Sequence, residues 1–242
     1  MRDETLNLNR IPVETMKTFA ADCLQSIKVE KADAIVIADS LIQADLWGHP
    51  SHGIMRLFWY GARIASGATQ ISKEPEWEVD AGGLAVLNGQ DGIGQSVAKK
   101  AMHSAIDRPK QHGIAAVCVR NSGHFGTAMF YTKMAADAGC IGFLSSNASP
   151  SMAPWGGVGH LVIVIDIAKC RPIDEFNADM ERLIKWIKSS KTAPTRSEIF
   201  YPGELEARNH TRISHSGIEL SEDVRTQLQI GAGRLGIKTP FN

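Results

Sequence analysis

No uninterrupted apolar run in the 242-residue chain reaches the roughly 18 residues that a membrane-spanning helix requires. Neither sign of charge is in excess. Lys and Arg number 26 against 26 Asp and Glu, and a formal net charge of zero argues against an electrostatic nucleic-acid or membrane surface. Paired cysteines are missing as well. Cys23, Cys118, Cys140 and Cys170 form no CxxC, and three of them lie in apolar runs, the pattern of buried reduced thiols in a cytosolic protein. The opening MRDETLNLNR is polar and charged, unlike a signal peptide. There is no Walker loop, nucleophile elbow, internal repeat or low-complexity tract. GQDGIG at 89–94 lacks the third glycine of a dinucleotide fingerprint and follows a hairpin pattern. These absences leave a soluble cytoplasmic protein, with an ordinary 43% apolar and 21% charged composition.

What is present reads as α/β. Residues 12–26 have helical spacing and proline in the first turn; 31–46 and 54–64 are helical too. Residues 76–88 alternate about a Gly82–Gly83 turn and predict a hairpin. Residues 96–112 predict a helix ended by Gly113, 114–119 a buried strand, 128–138 a helix ended by Gly139, and 141–145 a second strand. This rhythm predicts at least one parallel pair. Leu161 to Ile167 is the most strongly apolar β-branched run, a central strand. A helix follows over 174–190, a polar surface stretch over 191–217, and a last helix over 219–235 capped by Ser221.

Three segments have the residues for chemistry. In GHPSHGIMRLFWY (48–60), helix from Gly53 onward would align His52, Arg56, Tyr60 and Arg63 in one stripe, opposite Ile54, Leu57, Phe58 and Ile64. A histidine moves protons near neutrality, and an arginine holds a carboxylate through two parallel hydrogen bonds. The spacing equally fits a solvated helix face. In NSGHFGT (121–127), glycines flank His124 directly after a strand, where α/β proteins place their sites. There His124 is either a donor to a ligand or a turn histidine capping the next helix. NASPSMAPWGG (147–157) is stiffened by prolines and offers donors at Asn147 and Ser149, or is a plain connection. His49 and His52 have metal-pair spacing, but no further ligand completes a set, and no metal is expected.

Taken together, ADLWGHPSHGIMRL (44–57), NGQDGIGQ (88–95), NSGHFGTA (121–128), SNASPSMAPWGG (146–157), VIVID (162–166) and YPGELEAR (201–208) resemble the malate/L-lactate dehydrogenase family of the second type. Ureidoglycolate dehydrogenase, 2,3-diketogulonate reductase and sulfolactate dehydrogenase belong to that family. The resemblance implies a non-Rossmann mixed sheet with flanking helices, plus a helical part formed by the N- and C-terminal segments. It implies NAD or NADP as cofactor, a small 2-hydroxy or 2-oxo acid as substrate, a homodimer, and hydride transfer at the 2-carbon. It makes His52 the acid/base, with Ser51 beside it, Arg56 the carboxylate ligand, and His124 a second proton-transfer candidate that also contacts cofactor. Asn147, Ala148, Ser149 and Pro150 would lie along the cofactor, and Gly203, Glu204, Leu205, Glu206 and Arg208 would form its adenosine-side segment.

In family chains of about 350 residues, roughly 110 residues separate the APWGG segment from the VIVID strand. Here only Val158 to Leu161 intervene. The resemblance therefore implies a shortened cofactor part and apolar surfaces stripped of their cover. Two readings follow: an oxidoreductase with a reduced cofactor site, or an inactive remnant that only folds or pairs with another subunit. The expected division is a helical substrate and dimer part, 1–70 with 168–242, and an α/β cofactor part, 71–167.

Overall fold

The computed structural model describes residues 10–146, 159–195 and 197–241. They fall into two compact units, one of residues up to Ile71 with those from Glu206 onward, the other Ser72–Leu205.

The first unit is helical. Pro12 precedes α1 (Val13–Ser26), its fixed φ of −55° preset for helix entry. Met16, Phe19, Ala20 and Leu24 face inward from α1, and Ile37, Leu41, Ile42 and Ala44 from α2 (Lys31–Leu46). Each fully buried leucine or isoleucine contributes about 1.5–3 kcal/mol. The sequence-expected boundaries of both helices agree with these. α3 (Leu57–Ala65) and α10 (Glu222–Arg234) complete the core through Leu57 and Leu228. Ser221 caps α10, its Oγ accepting from the Val224 N–H at 3.4 Å, as the sequence predicted. A two-residue pair, β1 (Arg10–Ile11) with β7 (Ile218–Glu219), joins the two chain segments.

The second unit is a five-stranded mixed sheet in the order β2-β3-β4-β6-β5. β2 (Glu76–Ala81) and β3 (Leu84–Gly92) form the expected hairpin. β3 runs parallel to β4 (Ile114–Ser122) through the crossover helix α4 (Gly94–Asp107), with a short α5 (Pro109–His112) after it. After α6 (Ala128–Asp137), β5 (Cys140–Ser146) does not pair with β4. β6 (Gly159–Asp166), the β-branched run, lies between them, antiparallel to both. The two loop-bearing strands are therefore next-but-one neighbours, not adjacent.

The two faces of the sheet differ sharply. Ala85, Leu87, Val117, Val119, Val162 and Val164 pack beneath Val97, Ala101 and Met102 of α4 and Tyr131 and Ala135 of α6. On the other face Leu84, Ile114, Ile141 and Phe143 are 45–54% exposed.

The sheet unit continues past the expected limit at residue 167. Asp166 Oδ1 caps α7 (Ile167–Cys170), accepting from the Ala168 N–H at 2.9 Å, and α8 (Ile173–Ser189) follows. The Lys188 ammonium, held to Glu198 and Glu204, ties the end of α8 to the segment leading to Leu205. The amphipathic α8 buries none of its residues, and Trp186 is 73% exposed.

Residues 204–216, expected as part of a polar surface stretch, form helix α9 (Glu204–Ser216). Its one buried residue is the charged Glu204, so apolar periodicity does not register it. Cys23 and Cys140 are buried, Cys118 is half-buried and Cys170 is exposed, all as free thiols. No helix among the described residues is long and apolar enough to cross a membrane.

Candidate functional site

The first motif is not a continuous helix. α2 gives way to a 3-10 turn at Pro50–His52, Gly53 is extended (ψ −156°), and a second 3-10 turn at Ile54–Arg56 leads into α3. The break overturns the expected stripe: Tyr60 is buried with Leu57, while His52 and Arg56 stay half-buried on the turns. The cause is Asp45 near the end of α2. Its Oδ2 accepts the Ile54 N–H at 2.8 Å, and a Cβ at Gly53 would overlap its carboxylate, so only glycine fits. Burial pushes the Asp45 carboxyl up to about 7, opposed by the Ile54 N–H.

The turns still assemble the expected groups. Ser51 Oγ lies 2.9 Å from His52 Nδ1, and Arg56 Nε donates to the Ser51 carbonyl at 2.8 Å. Burial, then the positive fields of Arg56 and His49, hold the His52 imidazole below its ordinary value, so it is neutral at pH 7 and able to accept a proton. The Arg56 guanidinium lies 5.7 Å from the Trp59 ring centroid. Its two terminal nitrogens make no hydrogen bond among the described residues, which leaves the bidentate edge for a carboxylate.

Glu206 meets this same motif. Its Oε1 lies 3.3 Å from His49 Nε2, and Asn209 Nδ2 donates to the Trp47 carbonyl at 3.3 Å. Arg208 is exposed on α9. Of the other residues in that segment, Gly203 adopts φ +90°, Leu205 is 49% exposed, and Glu204 is buried. The Glu204 carboxylate accepts from Lys188 Nζ at 2.8 and 3.1 Å and from the Tyr201 N–H at 3.3 Å, so it is engaged within the fold.

His124 belongs to the sheet unit, on the loop between β4 and α6. Gly126, at φ +84°, turns its N–H onto His124 Nδ1 at 3.3 Å, which leaves Nε2 as the protonated, donating nitrogen of the neutral ring. The loop is clamped from below. Gly123 N–H donates to the Gly92 carbonyl at 3.3 Å, and a Cβ at Gly94 would overlap the carbonyl oxygens of Gly123 and His124. Tyr131, fully buried, donates its hydroxyl to the Phe125 carbonyl at 2.5 Å. Thr127 Oγ1 is buried with no partner among the described residues. That orphaned hydroxyl is a polar group of the kind a bound carboxamide would satisfy. NGQDGIGQ, which has no fingerprint, thus serves as the floor of the His124 loop. Asn147, Ala148, Ser149 and Pro150 lie outside the described residues.

Two groups escaped the sequence reading. Asp45 is one. The other is His160, buried on the helix-covered face of β6 in line with Val162 and Val164, between Ser122 and Ser146. A lone histidine opening the VIVID run was the available signal. No three His, Cys, Asp or Glu residues converge among the described residues.

The sequence model of the malate/L-lactate dehydrogenase family matches residues 11–159 and, separately, 157–229. Malate dehydrogenase of Pyrococcus abyssi is 39% identical over 166 residues, 69% of this chain and 46% of that protein. L-sulfolactate dehydrogenase of Methanocaldococcus jannaschii is 38% identical over 146 residues, 60% of this chain and 42% of that protein. The matched chain thus spans about half the length of these relatives. In fold, the structure of malate dehydrogenase from Pyrococcus horikoshii OT3 superposes with a TM-score of 0.91 at 24% identity, the alignment running over 95% of this chain and 96% of that one. The Entamoeba histolytica malate dehydrogenase structure gives 0.89 at 20% identity, over 96% and 99%. The fold is theirs, and on the family match this chain belongs to the malate/L-lactate dehydrogenase family.

Proposed function

We propose that the chain is an NAD- or NADP-dependent oxidoreductase acting on a small 2-hydroxy or 2-oxo acid. The observation that carries this is the Arg56 guanidinium, its terminal nitrogens unengaged among the described residues, tied through Ser51 to a His52 held neutral. Arg56 takes the substrate carboxylate in a fork, and His52 accepts the 2-hydroxyl proton in the oxidative direction. Ser51 fixes the ring through Nδ1. His124, with Nε2–H as donor, and Thr127 are the sheet unit's candidates for holding the carboxamide of a nicotinamide. A nicotinamide cofactor held by these residues would supply the hydride chemistry at the 2-carbon. We assign the helical unit to substrate and the sheet unit to cofactor, in a cytoplasmic homodimer.

His52→Ala should lower turnover about 10²–10⁴-fold while leaving cofactor affinity within twofold. Arg56→Ala should cut kcat/KM by about 10²-fold, the loss of a charge-assisted fork, mainly through KM. Steady-state kinetics with fluorescence titration of reduced nicotinamide cofactor measures both. Absence of cofactor binding at millimolar concentration defeats the enzyme reading.

It would instead favour the second reading, a folded remnant that pairs with another subunit. That reading draws on the two family-matched segments meeting at 157–159 and on the uncovered sheet face.

A further inference from the structure

His160 is 4% exposed, at the start of β6 on the face covered by α4 and α6. Its ring packs 4.2 Å from the Phe125 ring, centroid to centroid. Its Nδ1 lies 3.0 Å from Ser146 Oγ, in the last described residue of β5. Its Nε2 lies 3.2 Å from Ser122 Oγ, in the last residue of β4. Ser122 Oγ in turn donates to the Gly123 carbonyl at 3.4 Å, immediately before His124.

These distances order the protons. A hydroxyl that gives its hydrogen to Gly123 can only accept from His160, which places the ring proton on Nε2. Nδ1 is then an acceptor, and Ser146 must donate to it. Burial pulls the His160 imidazole down to about 4; a bond to the Gly123 backbone opposes this and the His124 field adds to it. The ring therefore stays neutral across the working range, and the Nε2–H tautomer is the one these bonds agree on.

We infer that His160 is the positioning residue of the His124 loop, a fixed Nε2–H tautomer that relays hydrogen-bond direction from Ser146 through Ser122 to the carbonyl of Gly123. It binds the ends of β4 and β5, which do not pair with each other, to the one strand between them. Phe125, the residue following His124, packs on the same ring at an interplanar angle of 57°. His160 touches no substrate and exchanges no proton. The importance of this loop for catalysis rests on the function proposed above; the hydrogen-bond relay does not.

The test is long-range proton–nitrogen NMR of the ¹⁵N-labelled full chain between pH 8 and 5, with ring signals assigned by single substitutions. The expected result is a His160 ring in the Nε2–H form that does not titrate over this range. Ser146→Ala should release it into tautomer exchange and shift the His124 ring signals, Ser146→Thr should restore both, and His160→Phe should shift His124 likewise. The inference is overturned by an Nδ1–H ring, by a midpoint near 6.5, or by His124 signals identical in the parent, Ser146→Ala and His160→Phe. Should His160→Phe not fold, the two Ser146 variants decide. Cofactor titration is read separately: an intact His160 signature without cofactor binding removes the proposed function and leaves the relay standing.

Discussion

Acidification from pH 8 to 4 should move the stabilities of Asp45→Asn and His160→Gln in opposite senses relative to the parent protein. Asp45 binds its proton more tightly in the folded chain, near 7, than at the carboxylate value of 3.8. Between those values the native state holds the extra proton, so Asp45 contributes stability that is present at low pH and lost as pH rises through 7. His160 is the reverse. Its folded value near 4 lies below the ordinary 6.5, so the unfolded chain takes up protons first and stability is lost as pH falls from about 6.5 to 4. Converted at 1.36 kcal/mol per unit, the two contributions are about 4 and about 3 kcal/mol and largely cancel. Urea unfolding of the parent should therefore show a shallow profile. Asp45→Asn, which keeps a side-chain acceptor for the Ile54 N–H, should be more stable than the parent by about 2–3 kcal/mol at pH 8 and lose that lead by pH 4. His160→Gln should be less stable at pH 8, where the packing on Phe125 is lost, and should gain on the parent in acid. Parallel profiles for the parent and either variant would remove that group from the account.

Gly94→Ala should do more harm than its size suggests. Alanine usually favours a helix by up to about 1 kcal/mol over glycine. Here the added methyl meets the backbone oxygens of Gly123 and His124, which cannot rotate aside. Either α4 retreats or the loop shifts by about an ångström, and a displacement of that order in a catalytic group costs roughly 10²-fold in turnover. Overpacking adds about 1–3 kcal/mol of destabilisation. The control is Gly233→Ala in α10, where a Cβ meets nothing within 4 Å and the expected change is a gain of about 0.5–1 kcal/mol. Paired melting curves, with turnover for the Gly94 variant, separate the two. A gain for Gly94→Ala like that of Gly233→Ala, with turnover unchanged, would show that contact with the loop does not govern Gly94.

The helices and strands were legible because apolar periodicity reflects burial: α1, α6 and β6 bury the apolar positions their sequences display. α9 was not, since Glu206 to His49 and Asn209 to Trp47 are polar contacts that leave no apolar period. Ser51, His52 and Arg56 were recognisable as a group by motif, yet their geometry was misread. A regular helix was extrapolated through Gly53, and the carboxylate that forbids it, Asp45, lies eight residues upstream on another element. Strand order was not legible for a related reason. Sequence neighbours suggest sheet neighbours, and nothing local announces that β6 returns between β4 and β5. The lone histidine before VIVID was visible, but its role emerges only once that insertion is known, because its partners come from both flanking strands.

The uncovered face of the sheet alters the thermodynamic signature of unfolding. Leu84, Ile114, Ile141 and Phe143 are already 45–54% exposed in the native chain, and Trp186 on α8 73%, so they add less newly wetted apolar area when it unfolds than buried residues do. Apolar hydration is the positive part of the heat-capacity increment, about 0.45 cal/K/mol per Å². Calorimetry should accordingly give less than the usual increment of roughly 12–15 cal/mol/K per residue, and so a stability curve flatter in temperature than chain length alone would set.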